Sequence, residues 1–160
     1  MMYNHALAGK KKKARGSEHT SILDTVNNLG ILYAEQGRHK DAEIMYNCSL
    51  AAKVKAWGPE HASTLDTVDN LGSLYAFQGN HKDAEIMYNR ALAGREKAWG
   101  PDHPSTLKTV NNLGIIYTDQ DRLKDTEMTY NRELAGKEKA WGHEHMSTLD
   151  TVYNLGDSLC

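Results

Sequence analysis

Four histidines, His19, His61, His103 and His145, recur at intervals of forty-two residues, and the chain holds eight in all. Imidazole is the side chain most readily turned to metal ligation or to proton transfer near neutral pH. The spacing speaks against joint ligation, because residues a full repeat apart are spread along a molecule; it suits capping and packing. His143, Glu144 and His145 are adjacent but lack a further ligand set at metal spacing. No phosphate-cradling Gly loop is present, no nucleophile stands beside an evident base, and no acids pair at an expected pocket. The expectation is a protein without catalytic residues, metal or cofactor. Cys48 and Cys160 occupy unrelated places in the repeat pattern, so a reduced, cytoplasmic protein is expected rather than a disulfide framework.

Charge and hydropathy narrow the class further. A net charge of −2 argues against a general nucleic-acid binder, which needs a basic face to displace counterions. No apolar run approaches the roughly 20 residues that cross a bilayer, and no secretory signal opens the chain. Apolar residues make up 39% of the sequence, which suits a fold that buries one stripe per helix.

The element that must position these residues is a repeat. The stretch 63–104, STLDTVDNLGSLYAFQGNHKDAEIMYNRALAGREKAWGPDHP, recurs from Ser21 and from Ser105 and begins again at Ser147. A fixed period in this range is the signature of stacked helical units. Leu23, Val26, Leu29 and Tyr33 recur at spacings of three and four and share one helical face, as do Ala42, Tyr46 and Leu50 in the next segment. Gly30, Gly72, Gly114 and Gly156 lie inside the first helix of each unit, where glycine costs about 1 kcal/mol, and imply a partner helix too close for a side chain. Gly37 and Gly79 fit left-handed helix ends, and Glu60 or Ser63 is placed to cap the next helix. Trp57, Trp99 and Trp141 can form a ligand-stacking ladder or plug the seams between units; the seam is the expected role. The third unit departs from the pattern with Asp121 at the turn, Thr126 for Ala84 and Glu133 for Ala91. A carboxylate facing the core is costly unless paired, so this unit is expected to be the least stable.

These readings give an all-α helical solenoid of about eight helices forming a single domain over 1–160. Its full units are 17–58, 59–100 and 101–142, with partial units at 1–16 and 143–160. The run Lys10–Lys13 reads either as a nuclear-localisation patch or, as we expect, as a solvated helix end.

Val68, Leu71–Gly72, Tyr75, Gly79, Ala84, Tyr88 and Ala91–Leu92 carry a spacing that resembles the tetratricopeptide repeat. The forty-two-residue period, the NNLG or DNLG run and the links GPDHP and GPEHA resemble the kinesin light chain subtype. The wording ALAGREKAWGPDHPSTL is also similar to repeat arrays of fungal sensor proteins, although nothing here resembles their nucleotide-binding switch domain. The resemblance implies a right-handed superhelical solenoid and a non-enzymatic protein-interaction module whose first helices line a concave groove. Residues off the core stripe then face it: Asp24, Asn27, Asn28, Ile31 and Glu35, then Asp66, Asp69, Asn70, Ser73 and Phe77. Lys108, Asn111, Asn112, Ile115 and Asp119 follow, then Asp150, Tyr153, Asn154 and Asp157.

Asn28, Asn70, Asn112 and Asn154 form an amide ladder, one per unit. Each amide offers a donor and an acceptor and can hold the backbone of an extended peptide, or can stiffen the stack by bonding a neighbouring helix. The kinesin light chain likeness implies the first role. The peptide-binding set expected is Asn27, Asn28, Asp66, Asp69, Asn70, Phe77, Lys108, Asn111, Asn112 and Asn154. Seven acids against the single base Lys108 favour a neutral or basic segment. That departs from the acidic cargo of kinesin light chains. The alternative is a scaffold that stacks head to tail as a homo-oligomer, because the chain opens with a second helix and closes with a first.

Overall fold

The computed structural model describes residues 21–158. Seven helices follow one another: α1 over 21–35, α2 over His39–Trp57, α3 over Ala62–Phe77, α4 over His81–Trp99, α5 over Pro104–Asp119, α6 over Leu123–Trp141 and α7 over Met146–Ser158. The described residues contain no strand. From α2 onward consecutive helices pack on one another, and α1 meets α2 through Gly30 and Tyr46, which makes the chain a solenoid of helix–turn–helix units. The expected helix at 1–16, the Lys10–Lys13 run, His19 and Cys160 lie outside the described residues.

Turn chemistry sets the units. Gly37 and Gly79 adopt φ of 72° where first helices end, and Asp121 takes φ of 55° at the third such turn. That conformation suits glycine, and aspartate accepts it at some cost. Gly58, Gly100 and Gly142, with φ of 92°, 90° and 88°, end the second helices. Helices α3, α5 and α7 then start on the link histidines rather than on Glu60 or Ser63. The Nδ1 atoms of His61, His103 and His145 accept from the backbone N–H of Ser63, Ser105 and Ser147 at 3.3, 3.2 and 3.2 Å. A carboxylate at Glu60 is drawn elsewhere, to Lys97 at 2.6 Å. Trp57, Trp99 and Trp141 lie against the same three histidines, with centroids 4.9, 5.2 and 5.4 Å apart, so the aromatic ladder belongs to the links.

Glycine permits the closest helix approach. A Cβ at Gly30, Gly72 or Gly114 would stand 2.7, 2.8 or 2.6 Å from the ring of Tyr46, Tyr88 or Tyr130. Each tyrosine ring thus abuts the first helix of its own unit. The core runs from unit to unit: Ala42 and Tyr46 pack with Leu71 and Leu74, and Ala84 and Tyr88 pack with Leu113 and Ile116. In α3 the stripe Leu65, Val68 and Leu71 is buried, whereas the matching Leu29 of α1 stays 37% exposed.

Candidate peptide-binding face

Three cations lie inside the stack, and they decide which polar residues are free. Lys53, Arg95 and Lys137 occupy matching places on α2, α4 and α6 and are buried. Long charged side chains are rarely buried without partners. Lys53 Nζ donates to the Ser63 carbonyl at 3.2 Å and the Thr67 hydroxyl at 3.1 Å, both on α3, and pairs with Asp24 of α1 at 3.2 Å. Arg95 repeats this with the Ser105 carbonyl at 3.1 Å, the Thr109 hydroxyl, and Asp66 at 2.8 Å, and adds an ion pair to Asp69. Lys137 donates to the Ser147 carbonyl and the Thr151 hydroxyl, each at 2.9 Å. One cation from each second helix therefore ties the first helix of its own unit or its own acid to the first helix of the next.

Glu133 fits this scheme. Its carboxylate is fully buried, lies 2.6 Å from Lys137 Nζ and accepts from Asn111 Nδ2 at 3.0 Å. The pairing that a core carboxylate needs is present. Thr126, by contrast, buries a hydroxyl with no hydrogen-bond partner among the described residues, where Ala42 and Ala84 stand in the other units.

The residues expected in the groove divide into two groups. Asn27 and Asp69 are buried in the seams: Asn27 Oδ1 accepts from the Thr67 hydroxyl at 3.1 Å and from Asn70 Nδ2 at 3.3 Å. Burial pushes the Asp69 carboxyl above its ordinary range, against the opposing pull of Arg95. Asn111 is engaged with Glu133, and Asp66, although exposed, is held by Arg95. Asn28, Phe77 and Lys108 are exposed, and Asn112 and Asn154 are half-buried. Of the seven acids, Asp24, Asp66 and Asp69 carry buried cation partners. Asp119 stands 4.0 Å from His81 Nδ1, and Glu35, Asp150 and Asp157 form no ion pair among the described residues.

An apolar cavity of about 370 Å³ opens between α1 and α3. Ile31, Ala34, Leu74 and Phe77 line it with Tyr46 of α2, while Glu35, His39, Asn70 and Ser73 supply its polar atoms. Phe77, the chain's sole phenylalanine, is 78% exposed and rests beside the His39 ring at 5.2 Å. His39 Nδ1 is buried without a hydrogen-bond partner among the described residues. A second cavity of about 350 Å³ lies between α5 and α7 and is polar, with Lys108, Asn111, Asp150 and Asn154 on its walls.

The clamp residues escape a reading of apolar stripes. The available signal is a cation recurring at the repeat period directly after a small residue: Ala52–Lys53, Gly94–Arg95 and Gly136–Lys137. Among the described residues no three His, Cys, Asp or Glu side chains gather as a metal-holding set, and no helix is long and apolar enough to cross a membrane.

Comparison with known proteins bears on the whole array. No curated protein matches the chain. Among solved structures, BtubC (BKLC) from P. vanneervenii is similar at a TM-score of 0.80 and 20% identity, over 88% of this chain and 56% of that one. The "Podosopora anserina putative kinesin light chain nearly identical TPR-like repeats" match at a TM-score of 0.75 and 22% identity, over 86% and 65%. A variant of that protein matches at 0.76 and 23%, over 88% and 66%. The chain thus spans less than two thirds of these proteins, and the likeness is one of fold. The tetratricopeptide repeat profile matches residues 1–53, 54–97 and 63–139. With the paired helices, the Gly–Tyr crossings and a core continuous between units, this match establishes that the chain belongs to the tetratricopeptide repeat family.

Proposed function

We propose that the chain is a non-enzymatic protein-interaction module that holds an extended peptide segment along the concave face of α1, α3, α5 and α7. The apolar cavity between α1 and α3 carries this reading. It is lined from three helices, and Ile31 and Phe77 are left uncovered beside the core residues Tyr46 and Leu74. Large exposed apolar groups rimmed by polar ones mark interaction surfaces on folded proteins. A Leu-sized or aromatic side chain of the segment would fill the cavity. Asn28, Asn112 and Asn154 would hold its backbone through amide donors and acceptors, with Asn70 sharing its amide between the segment and Asn27.

The segment is neutral or basic overall. Glu35 sits on the cavity rim, and Asp119 and Asp150 are placed farther along the same face. Unneutralised carboxylates on a groove draw cations and repel acidic segments. Fluorescence anisotropy with two peptide sets tests this, one Lys/Arg-rich and one Asp/Glu-rich, each carrying the same Leu. The basic set binds more tightly, and Ile31→Glu weakens it by about tenfold, near the value of one desolvated apolar contact. Tighter binding of the acidic set, or indifference to Ile31→Glu, overturns the assignment.

A further inference from the structure

The third unit differs from the first two by a linked exchange of charges. Asp24 and Asp66 stand on the groove side of α1 and α3 and bind the buried cations Lys53 and Arg95. The matching position on α5 is Lys108, of the opposite sign. Lys137 nevertheless has its carboxylate, because Glu133 stands one helical turn before it where α4 has Ala91. The acid has moved from the groove side into the seam. The clamp is kept, and the groove position is left carrying a cation.

That cation is uncommitted. Lys108 is exposed and forms no ion pair among the described residues. Its charge is felt at Asp69, whose carboxylate is already paired with Arg95. Lys108 lines the polar cavity between α5 and α7 together with Asn111, Asp150 and Asn154. Of the two carboxylates there, Glu133 is consumed by Lys137; Asp150 is exposed. A free ammonium beside amides in a cleft of about 350 Å³ favours an incoming carboxylate, which an ammonium holds as a point charge.

We propose that Lys108 is the charge-reading residue of the groove and takes a side-chain carboxylate of the bound segment. This rests on the groove reading above and adds a direction to it. The segment places its apolar side chain and a cation at the α1–α3 end, and one acidic residue at the α5–α7 end. A segment laid in reverse would set that acid against Glu35.

The test uses acetylated, amidated peptides, so that no terminal carboxylate competes. Each carries one Leu, one Lys beside it, and either Asp or Asn at successive positions on each side of the Leu. Anisotropy is read at low and high salt. At one spacing, Asp outbinds Asn by about threefold at low salt, the scale of an exposed ion pair, and the difference shrinks at high salt. Lys108→Asp, checked for unchanged helical content, removes that preference and favours Lys at the same spacing. Asp150→Asn enlarges the preference for Asp. If peptides bind but Asp and Asn are equal at every spacing, or if Lys108→Asp keeps the preference, Lys108 reads nothing and the groove stands without it. If no peptide binds, the groove reading fails and this inference fails with it.

Discussion

Asn27 and Asn28 are neighbours in sequence with different environments, and the difference is geometric. Successive helix residues point about 100° apart, so one amide enters the seam and the other faces solvent. An apolar stripe fixes which face is core but does not say which flanking residue lies under the next helix. That is why Asn27, Asp69 and Asn111 are expected in the groove, yet spend their polar atoms on Thr67, Arg95 and Glu133. The crossings at Gly30, Gly72 and Gly114 are legible in the sequence, because a glycine held inside a helix at a cost implies a neighbour too close for a side chain. Gly156, by contrast, meets nothing within 4 Å among the described residues. Lys53, Arg95 and Lys137 are not, because a charged residue is assigned to solvent until the carbonyl and hydroxyl it meets are known. Tyrosine chemistry at this scale has a pH consequence. Burial, then the hydrogen bond to Glu43, pushes the Tyr75 phenol up to about 12. Tyr46, Tyr88, Tyr117 and Tyr130 move in the same direction, chiefly through burial. In the unfolded chain these phenols ionise near about 10. The unfolded state thus releases protons first, so stability is intact below about pH 10 and falls as pH rises toward 12. Urea midpoints measured between about pH 9 and 12 should drop steeply, and Tyr75→Phe should flatten the drop. A midpoint constant across that window would contradict the burial of these rings.

Between elements, the buried cation acts as a rivet that joins consecutive units. It reaches a backbone carbonyl and a threonine hydroxyl on the next first helix, so its geometry depends on the units being stacked. The third unit is expected to be weak because of Asp121, Thr126 and Glu133. The Glu133 carboxylate is paired, while Asp121 holds a left-handed φ of 55° and the buried Thr126 hydroxyl has no hydrogen-bond partner among the described residues. Glu133→Ala should leave Lys137 buried without a carboxylate and cost roughly 3 kcal/mol in chemical denaturation. Adding Lys108→Asp places an acid where Asp24 meets Lys53 and Asp66 meets Arg95, and should recover most of that loss. A double variant no more stable than Glu133→Ala alone would show that the two positions do not exchange roles.

At the scale of the molecule, seams and surface follow from one division of labour. The polar residues of the first helices that meet a second-helix cation, or a polar group of a neighbouring helix, stiffen the stack, as Asp69, Asn27 and Asn111 do; Asn28 and Lys108 stay exposed. The central claim is that this open face, anchored at the α1–α3 cavity, grips an extended segment. Hydrogen exchange followed by mass spectrometry, with and without saturating Lys-flanked Leu peptide, tests it most directly. Added protection is predicted in α1 and α3, centred on the turns bearing Ile31 and Phe77, with α4 and α6 unchanged. Protection confined to the second helices, or none at a concentration where the peptide binds, would contradict it.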